Sequence, residues 1–359
     1  MMTSDRKAKM AARDRMADTG EPYSRARRAA GKSWPRLRDS SVNWHFVALG
    51  GHHGFGPWGQ HATVRDASTG DVTALVPTPE ALRRFDRVTS AGAPGAGQQL
   101  HVLAGYRKPQ AGPGAGHRVP EEQAAQLYAL RVDAAGQVAG LAPVPVASPL
   151  PTGPGTPSMA VRADGTGLLC AQTQHRGRSW ESVVYTVNLA TGEPRVLAEA
   201  VPGPVTELSW AADVRTVAFE WNPAMGRAGA RQAGIYMTDP AGPAGWEAGS
   251  RLVTPSDDGL GPLISPVISR DGTAVYVTAA QASLAGGSHW NRLLEVPAGG
   301  GQPRVLFELR YQANPANLAY MWDDVRLDPS GRFLLLLGFG WAYLVEISTA
   351  ACARIPFPV

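Results

Sequence analysis

Three stretches, LSWAADVRTVAFEW (208–221), PVISRDGTAVYVTA (266–279) and VRLDPSGRFLLLLG (325–338), read as one pattern written three times. Each is an apolar strand, a tight turn and a second apolar strand. A fourth copy, MAVRADGTGLLCAQ (159–172), precedes them. The turn residues Gly165, Val214, Gly272 and Gly331 stand 49, 58 and 59 residues apart. A long, regular period of this kind marks a repeat architecture, in which each unit buries its faces on its neighbours. Val214 departs from the pattern, because a β-branched residue is strained where a turn demands positive φ.

A second unit follows each copy that can be traced: a strand, a small turn and a more polar strand. It reads VYTVNLATGEPRVLA (184–198), LLEVPAGGGQPRVLF (293–307) and YLVEISTAACARIPF (343–357). Earlier copies are ATVRDASTGDVTALV (62–76) and LYALRVDAAGQVAGL (127–141). One unit of each kind makes a four-stranded antiparallel meander, the blade of a β-propeller. Blades drawn on this pattern begin near Trp44, Arg87, Thr156, Pro204, Leu263 and Trp322, about 53 residues each. The expected fold is all-β, a single β-propeller of about six four-stranded blades over residues 42–359, with seven left open by the spacing. Residues 1–41 form a separate basic N-terminal tail, marginally helical or disordered, with short helices expected within 4–16 and 22–30.

The Asp164-Gly165 and Asp271-Gly272 turns make these repeats resemble the WD-repeat-like, TolB-type propellers. LSWAADVRTVAF and ATVRDASTGDVTALV are similar to an actinobacterial group of uncharacterised propeller proteins, many of which carry a membrane helix before the propeller. This chain departs there, having SWPRLRDSSVNWHFVAL (33–49) at that point. The tail phrase RMADTGEPYSRARRAA (15–30) resembles a short segment at the start of other actinobacterial proteins. The resemblance implies an architecture and leaves function open, since propellers host both enzymes and scaffolds.

Composition agrees. Gly (41) and Pro (30) make about a fifth of the 359 residues, as many short strands and turns require. The net charge of +4 is unevenly spread: residues 1–40 hold eleven Lys/Arg against five Asp/Glu, so the remainder carries −2. The longest apolar run, Phe333 to Val345, is 13 residues with Gly338 and Gly340 at its centre, which reads as a hairpin and falls short of a membrane span. With no apolar stretch of signal-peptide type in the first 40 residues, the expected location is cytoplasmic. Cys170 and Cys352 fall in blades three and six and are expected to stay unpaired and packed as small hydrophobes.

Enzymatic motifs are sparse. Ala26 to Ser33 fits the loose phosphate-loop spacing, but Arg27 and Arg28 fill the loop and Pro35 breaks the helix that should follow. His52, His53 and His61 gather in a Gly-rich segment without an acidic or thiol companion, which favours an exposed loop over a metal site. No G-x-S-x-G or HExxH occurs. Glu207, Asp323 and Asp324 fall near the starts of innermost strands, where a metal-dependent hydrolase or lactonase-type propeller would place acids in its central channel. No catalytic residue, cofactor or metal ligand is assigned.

The stronger signal is in the long loops between the second and third strands of the blades, 107–122, 174–182, 221–232 and 281–292. They hold eight Lys/Arg (Arg107, Lys108, Arg118, Arg176, Arg178, Arg227, Arg231, Arg292) against Glu121, Glu122 and Glu181. Trp180, Trp221 and Trp290 stand at the loop edges. Arg with Trp on one rim is the chemistry of a recognition surface for an anionic partner. The expected function is therefore a non-enzymatic interaction scaffold presenting Arg176, Arg178, Trp180, Trp221, Arg227, Arg231 and Trp290 to a protein partner. The alternatives are the channel hydrolase, and nucleic-acid association through the basic tail.

Overall fold

The computed structural model describes residues 44–49, 61–77, 87–93, 99–106, 126–146, 158–176, 179–226, 231–256, 263–281, 288–312, 322–338 and 341–356. The expected tail helices and the boundary at residue 42 lie outside these residues. The described strands form six antiparallel meanders, five of four strands and one of three. Blade one holds β1 (His45–Leu49), β2 (His61–Asp66) and β3 (Val72–Pro77). Blade two holds β4 (Arg87–Ala93), β5 (Gln99–Tyr106), β6 (Gln126–Val132) and β7 (Val138–Pro143). Blade three runs β8 (Ser158–Val161), β9 (Gly167–Arg176), β10 (Ser179–Asn188) and β11 (Pro194–Pro202). Blade four has β12 (Val205–Trp210), β13 (Val217–Trp221), β14 (Gly234–Thr238) and β15 (Arg251–Pro255), with the short helix α1 (Gly245–Gly249) before β15. Blade five is β16 (Leu263–Ile268), β17 (Ala274–Gln281), β18 (Ser288–Pro297) and β19 (Arg304–Gln312). Blade six is β20 (Trp322–Leu327), β21 (Phe333–Gly338), β22 (Trp341–Glu346) and β23 (Cys352–Pro356). The starts read from sequence for blades two to six therefore stand, and the described strands fall in six blades.

Second strands are buried on both faces, so their residues sort by parity onto two neighbours. In β9, Leu168 and Cys170 pack with Leu100, Val102 and Leu127 of blade two. Leu169 and Ala171 pack with Phe219, Trp221 and Tyr236 of blade four. The run FLLLL of β21 divides the same way: Leu334 and Leu336 meet blade five, while Phe333 and Leu335 meet Trp44 and Phe46 of blade one. A core between Val253 of blade four and Leu263 and Val277 of blade five, and another of Val47, Val64 and Val76 against Leu130 and Val132 of blade two, complete the circuit. Six cores for six junctions close the ring. A fully buried Leu gives roughly 1.5–3 kcal/mol of transfer free energy, so each junction holds several side chains' worth of cohesion.

The turns between first and second strands are tied by side chains. Asp164 and Asp271 accept hydrogen bonds from the N–H groups of Thr166 and Thr273, at 3.0 and 3.1 Å. A hydrogen bond from the Ser269 hydroxyl, followed by those from the Thr273 N–H and hydroxyl, holds the Asp271 carboxyl down at about 2. Gly165, Gly272 and Gly331 have φ of 70°, 72° and 77°, and Val214 is held at 53° in the same place. The strain expected of Val214 is real. Cys170 lies in β9 of blade three and Cys352 in β23 of blade six.

Blade one is informative in what its strands correspond to. The Ala67 N–H donates to the Trp44 carbonyl, just as Leu189, Ala298 and Ile347 donate to Thr166, Thr273 and Arg332, the residues immediately before β9, β17 and β21. Asp66 also closes the β2–β3 turn as Asn188 closes β10–β11, through bonds to the second and third N–H groups beyond it. The three described strands of blade one are thus its second, third and fourth.

Candidate functional site

The β9–β10 hairpin projects from the rim where one blade hands over to the next. The Gly203 N–H, in the connection from blade three to blade four, bonds the Trp180 carbonyl at 2.7 Å. A single 3-10 turn, 223–225, follows β13 and packs its end onto the same spot. Gly226 fits only as glycine: a Cβ there would stand 2.1 Å from the Gly203 nitrogen and 2.5 Å from the Trp180 oxygen. This close approach brings Met225, 48% exposed, beside the hairpin. Trp180 is half-buried, with its ring edge-on to His175 at 4.9 Å and 79°. The Arg176 side chain is 73% exposed and reaches Glu181 at 3.5 Å, an exposed contact of little energetic weight. Trp, Met and Arg are the residue types over-represented at protein interfaces.

The structure corrects two of the rim residues. Trp221 is fully buried between blades three and four, and its indole N–H donates to the Pro202 carbonyl at 2.8 Å. Trp290 is buried in the core between blades four and five. Both follow from strand parity: each lies within a strand whose two faces are covered, so the ring enters a junction. Arg231 is exposed but lies 5.9 Å from the Trp221 ring centroid and donates to the Ser250 carbonyl at 2.7 Å. Arg292 sits 4.0 Å over the Trp290 ring and bonds Glu308 at 2.6 Å. Arg178 and Arg227 lie outside the described residues. Met225 was not singled out from sequence; the one available signal was its place in a long loop of a rim already marked by Trp and Arg.

At the axis the inner strands carry polar residues at matched places. Glu207 in β12 and Ser265 in β16 both hold positive φ, 51° and 53°, where each strand bulges against its partner. The Glu207 N–H bonds Ser158 Oγ of β8 at 2.9 Å, and Ser265 Oγ lies 3.4 Å from Glu207 Oε2. The matched acid of blade six, Asp324, is held by Arg326 at 2.7 Å. The Asp323 side chain is outside the described set. Behind this row, Glu220 accepts from the Thr206 hydroxyl at 2.8 Å, and burial pushes its carboxyl above the usual range. Among the described residues no three His, Cys, Asp or Glu side chains gather as a metal-binding group. His52 and His53 lie outside those residues, and His61 begins β2. No helix among the described residues is long and apolar enough to cross a membrane.

No family model matches the chain, and no curated protein matches it in sequence. Solved structures with a similar course include a periplasmic gluconolactonase of Pseudomonas aeruginosa, 16% identical with a TM-score of 0.43 over 87% of this chain and 83% of that one. An oligogalacturonate lyase in complex with manganese is 16% identical, TM-score 0.42, over 82% and 84%. Hydrazine synthase of Kuenenia stuttgartiensis is 15% identical, TM-score 0.43, over 81% and 72%. Likeness at this level carries no argument about activity. The six-bladed propeller stands on its own sheets and junctions, and the narrower similarity to an actinobacterial group gains no support from these comparisons.

Proposed function

We propose that the protein is a non-enzymatic recognition scaffold whose working surface is the rim at the junction of blades three and four. The observation that carries this reading is the meeting of Trp180, Met225 and Arg176 on two adjoining turns, each partly or largely open to solvent. Arg178 and Arg227 flank the same turns in sequence and add positive charge, which favours an acidic protein partner. The proposal includes a cytoplasmic location, which the use of only two cysteines in 359 residues suits. Quantitative affinity capture from the native host tests it, using the wild type, an Arg176→Glu/Trp180→Ala double variant, and Glu207→Gln as an axis control. One stoichiometric partner, lost by the rim variant and kept by the axis variant, is the expected result. Equal capture by all three chains contradicts it.

A second reading, a small-molecule hydrolase acting at the axis, is favoured by the matched positive-φ residues Glu207 and Ser265, because strained backbone concentrates at reactive sites. Lactone hydrolysis with and without added calcium tests it. Turnover abolished by Glu207→Gln would support this reading, and absence of turnover under both conditions would end it.

A further inference from the structure

The connection from blade three to blade four reads VPGPV (201–205). Its two prolines leave residues 202–204 one N–H and three carbonyls, and all four are hydrogen-bonded. The Gly203 N–H donates to the Trp180 carbonyl at 2.7 Å, and the Pro204 carbonyl accepts from the Asn222 N–H at 3.0 Å. The Pro202 carbonyl accepts from the Trp221 indole N–H at 2.8 Å. The Gly203 carbonyl accepts from the Ser182 hydroxyl at 2.9 Å. Ser182 Oγ also accepts from the Val205 N–H at 2.9 Å and lies 3.2 Å from the Thr173 hydroxyl, which is left to donate. The hydroxyl's one donor and two lone pairs are thereby all used. Ser182 is fully buried and lies in β10, as Trp180 does. It clips the start of β12 to the strand end that carries Trp180.

On this clasp sits the 3-10 turn 223–225. Gly226 has φ −102° and ψ −33°, a right-handed conformation open to any residue. Its neighbours demand the glycine instead. The Cβ it lacks would strike both heavy atoms of the Gly203–Trp180 hydrogen bond. From the other side, a Cβ on Gly203 would stand 2.0 Å from the Asn222 carbonyl oxygen, which accepts the Met225 N–H of the turn. Two glycines let two backbones touch, and that contact sets how Met225 stands to Trp180.

We infer that Ser182 and Gly226 are positioning residues of the rim: Ser182 locks the blade connection to the Trp180 strand, and Gly226 seats the Met225 turn on that connection. Hairpin, connection and turn then form one rigid body, set before a partner arrives. A surface fixed in advance loses little loop freedom on association, so more of its contact energy appears as affinity. Ser182 is buried and Gly226 has no side chain, so both act on binding through Trp180 and Met225. The use in binding rests on the proposed function; the rigid body does not.

Hydrogen exchange on the free full chain tests the rigid body. It compares wild type, Gly226→Ala, Ser182→Ala and the control Gly140→Ala, whose added Cβ meets no described atom within 4 Å. In the wild type the Gly203 and Val205 amides are expected to be protected to within about tenfold of those of β13. Gly226→Ala is expected to speed exchange at Gly203 about tenfold or more, and Ser182→Ala to do the same at Val205. The amides of β21, and the control chain throughout, keep wild-type rates. Gly203 exchanging at open-chain rates in the wild type, or unmoved by Gly226→Ala, overturns the assignment. So does a loss of protection that spreads equally to β21. Capture from the native host reads the consequence, with the partner lost by Arg176→Glu/Trp180→Ala as the probe. Gly226→Ala is expected to lower its recovery about fivefold, and by less than about twofold in a Met225→Ala background. Full recovery by Gly226→Ala, or an undiminished loss in that background, overturns the positioning role and leaves the proposed function standing. If the rim double variant loses no partner, the proposed function fails and the exchange result alone decides the rigid body.

Discussion

The junctions between blades and the surfaces at the rim and axis obey different rules. At each junction the same geometry recurs: alternate residues of a second strand enter two neighbouring cores, as Leu168 and Cys170 do on one side and Leu169 and Ala171 on the other. At the rim, among the described residues, blades three, four and five do not match. Blade three offers Trp180 and Arg176, blade four offers Met225, and blade five folds Trp290 and Arg292 back on each other. Repetition is imposed by the need to bury two faces of every sheet, and it stops where burial stops. What is repeated holds the ring together, and what is not repeated is free to be specific.

The largest effect expected from breaking this contrast is at a junction. Leu335 is fully buried between blades six and one, and Leu335→Ala is expected to cost about 2–5 kcal/mol, read as a lower urea midpoint at unchanged slope. Next is His101, whose pKa is lowered to about 3 by burial and by the Arg326 charge. The unfolded imidazole takes up its proton near 6.5 while the folded one stays neutral, so stability is lost as pH falls from about 6.5 towards 3. His101→Leu is expected to flatten this slope, and an unchanged pH profile would show that the group does not govern it. Val214→Gly relieves a β-branched residue at φ 53° and is expected to stabilise the protein by about 1 kcal/mol in the same unfolding assay. Smallest is Trp180→Ala with Arg176→Glu, which leaves the junctions intact and is expected to shift stability by less than about 0.5 kcal/mol.

The junctions were legible in the sequence because their chemistry repeats: turn residues at a long period and apolar runs around them gave the starts of blades two to six within two residues of the strands, while Trp44 marks the second strand of blade one. The Val214 strain followed from the same alignment. The rim was legible only as composition. A Trp at a loop edge reads the same whether its ring faces solvent, as Trp180 partly does, or enters a junction, as Trp221 and Trp290 do. The difference lies in strand register, one residue of which exchanges the two faces. Met225 was hidden because its exposure depends on where the turn at 223–226 lands on a neighbouring blade. Glu207 was marked as an inner-strand acid, but its pairing with Ser158 and Ser265 joins three blades and leaves no local trace.

The most direct test of the central claim is the affinity of the captured partner for the rim variant Arg176→Glu/Trp180→Ala against the axis variant Glu207→Gln, by calorimetry on proteins of matched thermal stability. The account predicts a loss of at least tenfold at the rim and none at the axis. Unchanged affinity at the rim with loss at the axis would contradict it and move the working site to the channel.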